Sequence, residues 1–195
     1  MIAIVDYGAG NISSVKKAFE HLGAIVHVTA DPGVISAAEK VVVPGVGHFN
    51  RCEFLNAQLR LPVLDAVKQG KPFLGICVGM QWLFAGSTEA PGTPGAALFA
   101  GECSRFPAEV KSPHVGWNQI DVRERSRLLR GIENGAFVYY THSYRAPIVA
   151  ETIASSGYGG MFSAAVEHEN VFGVQFHPEK SSATGLRVLE NFCEL

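Results

Sequence analysis

Phe73-Leu74-Gly75-Ile76-Cys77-Val78-Gly79-Met80-Gln81 is the stretch on which the reading of this chain turns. An apolar run leads straight into a cysteine set between two glycines, and a helix-compatible segment follows. That order describes a strand, a sharp turn and a helix N-terminus, the arrangement that presents a nucleophile in Gly-x-Ser-x-Gly hydrolases, with sulfur in place of oxygen. Gly75 and Gly79 leave room where a side chain would block close backbone approach. The turn lifts Cys77 out of the strand end, and the helix N-terminus beneath it favours negative charge. A thiolate there can attack a carbonyl, and the backbone N–H of Val78 is placed to receive the oxyanion.

Upstream of this turn, strands and helices alternate. Residues 2–6 read as an apolar strand. Asn11 is expected to cap the next helix, whose apolar positions Ile12, Val15, Phe19 and Leu22 follow helical spacing until Gly23 stops it. Residues 25–28 read as a second strand and Lys40-Val41-Val42-Val43 as a third, closed by Pro44-Gly45-Val46-Gly47. Pro62 suits the first turn of a helix running through Leu64 and Val67 to Gly70, and residues 73–76 form a fourth strand. Continuous apolar strands separated by helices predict an α/β fold with a parallel sheet covered on both faces. Downstream, residues 86–101 are rich in Gly, Pro, Ala and Thr and read as a long surface loop. Short strands then follow one another at 102–106, 119–122, 137–140, 164–167 and 171–175, so this half is mixed or antiparallel. A closing helix spans 186–192.

The bulk numbers fit one domain over residues 1–195. Hydrophobic residues make up 47% and charged residues 17%, which excludes a disordered chain. A net charge of -2 without a basic run argues against nucleic acid as a partner. No apolar run is long enough to span a bilayer, and Met1-Ile2-Ala3-Ile4-Val5-Asp6 lacks the basic region of a signal peptide, so a cytoplasmic protein is expected. Cys52, Cys77, Cys103 and Cys193 lack C-x-x-C spacing, so neither a metal site nor a disulfide framework is expected. Cys52, Cys103 and Cys193 read as small apolar fillers. Gly8-Ala9-Gly10-Asn11 follows a strand and opens a helix, yet Ser13 stands where a dinucleotide fingerprint needs its third glycine, which argues against a nucleotide cofactor.

A cysteine nucleophile needs a base and a group that orients the base. Val171-Phe172-Gly173-Val174-Gln175-Phe176-His177-Pro178-Glu179 reads as a strand ending in both. Residues two apart point to one side of an extended chain, and Pro178 keeps His177 extended. Glu179 can therefore accept the His177 N–H. Cys77, His177 and Glu179 are the expected nucleophile, base and orienter. Val46 or Gly47 could supply a second oxyanion donor opposite Val78, although a plain strand-ending turn reads equally well from that segment. Tyr139-Tyr140-Thr141-His142-Ser143-Tyr144 and Pro113-His114-Val115-Gly116-Trp117-Asn118 could each be structural or an interaction surface.

Gly75-Ile76-Cys77-Val78-Gly79-Met80-Gln81 together with His177-Pro178-Glu179 resembles the triad (class I) glutamine amidotransferases. Asp6-Tyr7-Gly8-Ala9-Gly10-Asn11, Pro44-Gly45-Val46-Gly47, the 113–118 segment, Tyr140-Thr141-His142-Ser143-Tyr144 and His177-Pro178-Glu179-Lys180-Ser181-Ser182 are similar to the glutaminase subunits of imidazole glycerol phosphate synthases. The resemblance covers essentially the whole chain. It implies an open, largely parallel, flavodoxin-like three-layer fold with a smaller antiparallel portion. It also implies glutamine hydrolysis through a Cys77 thioester, with His177 protonating the departing ammonia. Gly47, Gln81, His142, Ser143 and Tyr144 match glutamine-holding positions. The implied partner is a (β/α)8-barrel cyclase that uses the ammonia to make imidazole glycerol phosphate and aminoimidazole carboxamide ribotide. Asn11, Trp117, Tyr139 and Lys180 lie in segments similar to the docking face, and the Pro-Gly-Val-Gly turn reads as a switch. Val78 replaces a frequent Leu, which matters little where only the backbone N–H is used. Residues 93–101 depart from the family's Gly-rich loop and carry no assigned role. The alternatives are an amidotransferase of anthranilate or guanylate synthesis, a catalytically silent binding subunit, or a cysteine peptidase.

Overall fold

Four of the apolar runs lie side by side in the middle of one sheet, because only a strand covered on both faces can be apolar at every position. The computed structural model of the chain describes residues 1–123 and 126–195. In chain order the elements are β1 (Ile2–Val5), α1 (Ile12–His21), β2 (Val26–Thr29), α2 (Pro32–Ala37), β3 (Lys40–Val43), α3 (Cys52–Phe54), α4 (Arg60–Lys68), β4 (Phe73–Ile76), α5 (Val78–Gln81), β5 (Ser104–Arg105), β6 (His114–Gln119), β7 (Asp121–Val122), β8 (Phe137–His142), β9 (Tyr144–Arg145), β10 (Thr152–Gly157), β11 (Met161–His168), β12 (Val171–Val174) and α6 (Ser182–Cys193).

The main sheet has eight strands in the order β2-β1-β3-β4-β12-β11-β10-β7. From β2 to β12 every neighbouring pair is parallel. From β12 to β7 the pairs are antiparallel. β1, β4 and β12 are buried at every residue. Helices α1 and α6 pack on each other, with the Phe19 and Phe192 rings 6.1 Å apart, and α2 packs on α4. Two small antiparallel ribbons, β5–β9 and β6–β8, stand outside the main sheet. The expected α/β architecture, parallel in its first half and mixed in its second, is the one observed.

Several local expectations change. The second strand begins one residue later, at Val26, and as the sheet's edge it stays partly exposed. Asn11 opens α1 in the left-handed region (φ 72°) and makes no side-chain cap; its amide is engaged elsewhere, as shown below. Pro62 lies in the first turn of α4 as expected, but this is not where helical structure begins. Helical structure already runs through α3 and a π-helical turn, Leu55–Leu59, before α4 starts at Arg60. Proline has no N–H for an ordinary helical bond, and the wide turn immediately precedes it. The 86–101 segment is more than a surface loop. Ser87, Thr93, Ala96 and Phe99 are buried, and Phe99 packs 5.6 Å from Phe84. Strands β6 and β10 were not expected, and α6 starts at Ser182, ahead of the predicted 186.

Candidate active site

The carboxyl ends of β1, β3, β4 and β12 open onto one edge of the parallel sheet, where ligands bind in open α/β folds. Register brings the separate motifs together there. β12 pairs with β4 so that Val174 faces Ile76, and the Cys77 N–H donates to the Val174 carbonyl at 2.8 Å. Cys77 therefore sits level with Gln175, and His177 lies two residues further along the same chain.

Cys77 adopts φ 53° and ψ -107°, a conformation that costs a non-glycine residue about 1–3 kcal/mol. The flanking glycines make the turn possible. A Cβ on Gly79 would lie 1.8 Å from the Val43 carbonyl oxygen, and one on Gly75 would lie 2.5 Å from the Gly79 carbonyl oxygen. The expectation that both glycines serve close backbone approach holds.

His177 Nδ1 lies 2.8 Å from Glu179 Oε1, and both side chains are fully enclosed. Asn11 Nδ2 also donates to Glu179 Oε1, so the residue expected as a helix cap instead steadies the carboxylate. Glu179 accepts both hydrogens and thereby assigns the Nδ1–H tautomer to His177. His177 Nε2 is buried and makes no hydrogen bond among the described residues. Burial by itself lowers the basicity of this imidazole. The neighbouring Cys77 and then Glu179 overcome that and raise His177 to about 10. Burial, then Glu89, pushes the Cys52 thiol up to about 12, and burial raises Cys103 further, which leaves both as inert fillers.

The Val78 N–H, expected as an oxyanion donor, is engaged elsewhere. The Val78 N–H donates to the Gly45 carbonyl at 3.3 Å. The Gly45–Val46 peptide is trans, so the Val46 N–H points to the side opposite that carbonyl. Gly47 is exposed with φ 103°. Tyr7, which had no role in the reading of the residues, closes this corner. Its hydroxyl is buried, has no hydrogen-bond partner among the described residues, and would lie 2.3 Å from a Cβ on Gly45. Burial, then the charges of Cys52 and Cys77, raises its pKa well above the ordinary value.

Three comparisons place this geometry. A family profile described as "Glutamine amidotransferase class-I" matches residues 3–195. The chain is 47% identical over 201 residues to "Imidazole glycerol phosphate synthase subunit HisH" of Thermococcus kodakarensis, with 100% of each chain covered. It is 46% identical to the protein of the same name from Methanothermobacter thermautotrophicus, covering 100% of this chain and 98% of the relative. The chain belongs to the HisH family of class-I glutamine amidotransferases. A solved structure titled "Crystal structure of glutamine amidotransferase" superposes with a TM-score of 0.78 at 18% identity, covering 100% of this chain and 98% of the other, and so shares the fold.

The remaining predicted residues of this HisH-family chain fall into two groups. Gln81, His142 and Tyr144 meet beneath the nucleophile. Gln81 Nε2 donates to the Tyr144 carbonyl at 2.8 Å and to Gln175 Oε1 at 3.1 Å, and His142 Nδ1 lies 2.8 Å from the same carbonyl. Ser143 uses its own carbonyl to accept the Phe106 N–H. Gln81 and His142 are buried, with these polar atoms engaged inside the protein. Trp117, Tyr139 and Lys180 gather on the outer face of the β6–β8 ribbon. Trp117 packs edge-on to Tyr139 at 6.0 Å, and Lys180 Nζ lies 5.9 Å over the Tyr139 ring. Asn11 is bonded to Glu179, the residue before Lys180. Sequence reasoning missed Gln175 and Tyr7. Gln175 lies just past the end of β12, two residues before His177, and carries no local signature.

Proposed function

We propose that this chain hydrolyses glutamine to glutamate and ammonia and delivers the ammonia to a cyclase partner in histidine biosynthesis. The observation that carries this is the convergence of Cys77, His177 and Glu179 at one strand edge, in a chain 47% identical to an imidazole glycerol phosphate synthase subunit. The Cys77 thiolate attacks the side-chain carboxamide carbon of glutamine. The carbonyl electron pair moves onto oxygen and then returns, expelling the amine. His177 supplies the proton that converts the departing group to ammonia, leaving a glutamyl thioester. His177, now neutral, takes a proton from water as water attacks the thioester. Glutamate leaves, and the sulfur and imidazole regain their starting charges. Glu179 holds His177 in one tautomer throughout, and Asn11 holds Glu179.

The oxyanion stage requires a rearrangement. While the Gly45 carbonyl accepts from Val78, neither N–H can reach the oxyanion. Rotation of the Gly45–Val46 peptide frees Val78 and turns the Val46 N–H inward, so both donors meet the developing charge. The resting chain is therefore nearly idle, and docking drives the turn.

The partner is a (β/α)8-barrel cyclase. Val115, Trp117 and Phe137 expose large apolar area on one face of the β6–β8 ribbon, with Lys180 beside it. An exposed apolar patch rimmed by charge suits a protein interface. Among the described residues no helix is long and apolar enough to cross a membrane, and we place the chain in the cytoplasm. The test is a glutaminase assay with and without the coexpressed cyclase and its ribotide substrate. Completing an oxyanion hole raises turnover about 10²-fold or more. Glutamine hydrolysis unchanged by the loaded cyclase would contradict the proposal.

A further inference from the structure

One polar side chain at the nucleophile has no place in the triad. Gln175 is completely buried, and its Nε2 lies 3.6 Å from Cys77 Sγ, within hydrogen-bond reach of sulfur. An amide can be turned end for end, so the identity of the group facing the sulfur has to be derived from its other contacts. The Tyr144 carbonyl can only accept. Gln81 must therefore present its NH₂ to it, at 2.8 Å. The second hydrogen of that NH₂ points at Gln175, 3.1 Å away, and only an oxygen can receive it. Gln175 Oε1 is thereby fixed toward Gln81, and its NH₂ is fixed toward Cys77. His142 adds a further donor to the Tyr144 carbonyl at 2.8 Å, which anchors the chain at its far end.

We infer that Gln175 is a further catalytic residue: its side-chain N–H donates to the Cys77 sulfur, stabilising the thiolate and aiming it, while Gln81 is the positioning residue that holds the Gln175 amide in the donating orientation. The inference deepens the reading of Cys77 as the nucleophile. A donor on the sulfur favours the thiolate over the thiol, since hydrogen bonds to a charged acceptor are the stronger ones. The titratable groups facing this sulfur are His177, with Glu179 behind it, and Tyr7 from the end of β1. Gln175 is the uncharged donor among them. It acts at every pH and needs no proton transfer. The aligned chain runs Gln81 to Gln175 to Cys77 in one direction, so the bond that Gln175 accepts at its oxygen strengthens the one its NH₂ donates.

The test is the pH dependence of iodoacetamide alkylation at Cys77 in the intact chain, followed on the Cys77 peptide by mass spectrometry, for wild type, Gln175→Met and Gln81→Met. Methionine keeps the length and removes the donor. Gln175→Met is expected to move the Cys77 titration up by about one pH unit and to lower kcat/KM for glutamine about ten-fold. Gln81→Met is expected to move it in the same direction by less. A titration and rate within two-fold of wild type in Gln175→Met would overturn the inference. Should that variant lose its cooperative melting transition, the wild type decides: the Gln175 side-chain NH₂ resonances move when Cys77 titrates or is alkylated, and invariance of those resonances contradicts the contact. Alkylation is read independently of glutamine turnover. Retained glutaminase activity in Cys77→Ala would refute the reading of Cys77 as nucleophile without deciding the Gln175 contact.

Discussion

Within the His177–Glu179 pair, a geometry of 2.8 Å and complete burial does more than position an imidazole. It ties catalysis to pH in a definite direction. Burial opposes the imidazolium, and the charges of Cys77 and Glu179 hold it, so His177 rises to about 10. The share of stability linked to this proton is present in full below the ordinary value of 6.5 and is lost as pH rises through about 10. In the cyclase complex, glutaminase kcat/KM therefore stays high into the alkaline range and falls near pH 10, as a pH–rate profile will show. Glu179→Gln removes one group that holds the proton. It is expected to move that limb to lower pH and to reduce kcat/KM by about 10²–10⁴-fold, less than removal of Cys77 or His177. The triad itself was legible in the residues, because Gly-x-Cys-x-Gly and His-Pro-Glu each carry their own geometry. Gln175 was not, because a buried glutamine just past an apolar strand has no local signature. Asn11 was misjudged as a cap because its side chain has a stronger claim on it 168 residues away.

At the level of single elements, the turn from β4 into α5 depends on absent side chains. A methyl group on Gly79 would overlap the Val43 carbonyl oxygen, which belongs to backbone and cannot move aside. Gly79→Ala is expected to cost about 2–4 kcal/mol in urea unfolding and to displace the nucleophile turn, lowering activity in whatever fraction folds. The β6–β8 ribbon carries a second device. His114 Nδ1 lies 3.2 Å from His142 Nε2, and His142 Nδ1 reaches the Tyr144 carbonyl. The carbonyl accepts, so both rings are neutral and their tautomers are set. Burial lowers His114 to about 4 and His142 to about 3. Below 6.5 the unfolded chain binds more protons than the folded one, so stability falls as pH drops from 6.5 toward 4. Thermal melts should show a decrease of about 5 °C or more across that window, flattened in His142→Asn. The parallel strands were legible because they are apolar throughout. β10 was not, because its buried hydroxyls look polar in sequence. Thr152, Ser156 and Ser163 satisfy one another, Tyr140 and backbone carbonyls at 2.6–2.7 Å, a pairing visible only after folding. β6 was obscured for a related reason: its alternation is between an enclosed histidine–tyrosine side and an exposed face that still carries Val115 and Trp117.

For the whole molecule, the sheet order decides what meets what. Four chain segments far apart in sequence end at one edge, and the ribbon bearing Trp117 and Tyr139 lies next to it, since the His177 N–H donates to the Tyr139 carbonyl at 2.9 Å. The exposed apolar face and His177 are thus joined through one backbone hydrogen bond. Trp117→Ala is expected to weaken cyclase binding about ten-fold or more in calorimetric titration, with the melting point of the free chain within about 2 °C of wild type. This long-range convergence is what sequence could announce only through motif pairs, since no local pattern states that β4 and β12 are neighbours. Its most direct test is labelling of the cyclase complex with an electrophilic diazoketone analogue of glutamine, followed by peptide mapping. One adduct per chain is predicted, on the Cys77 peptide, formed far more slowly in His177→Asn and absent in Cys77→Ala; labelling that proceeds at the wild-type rate in Cys77→Ala, or that lands on Cys52, Cys103 or Cys193, would contradict it.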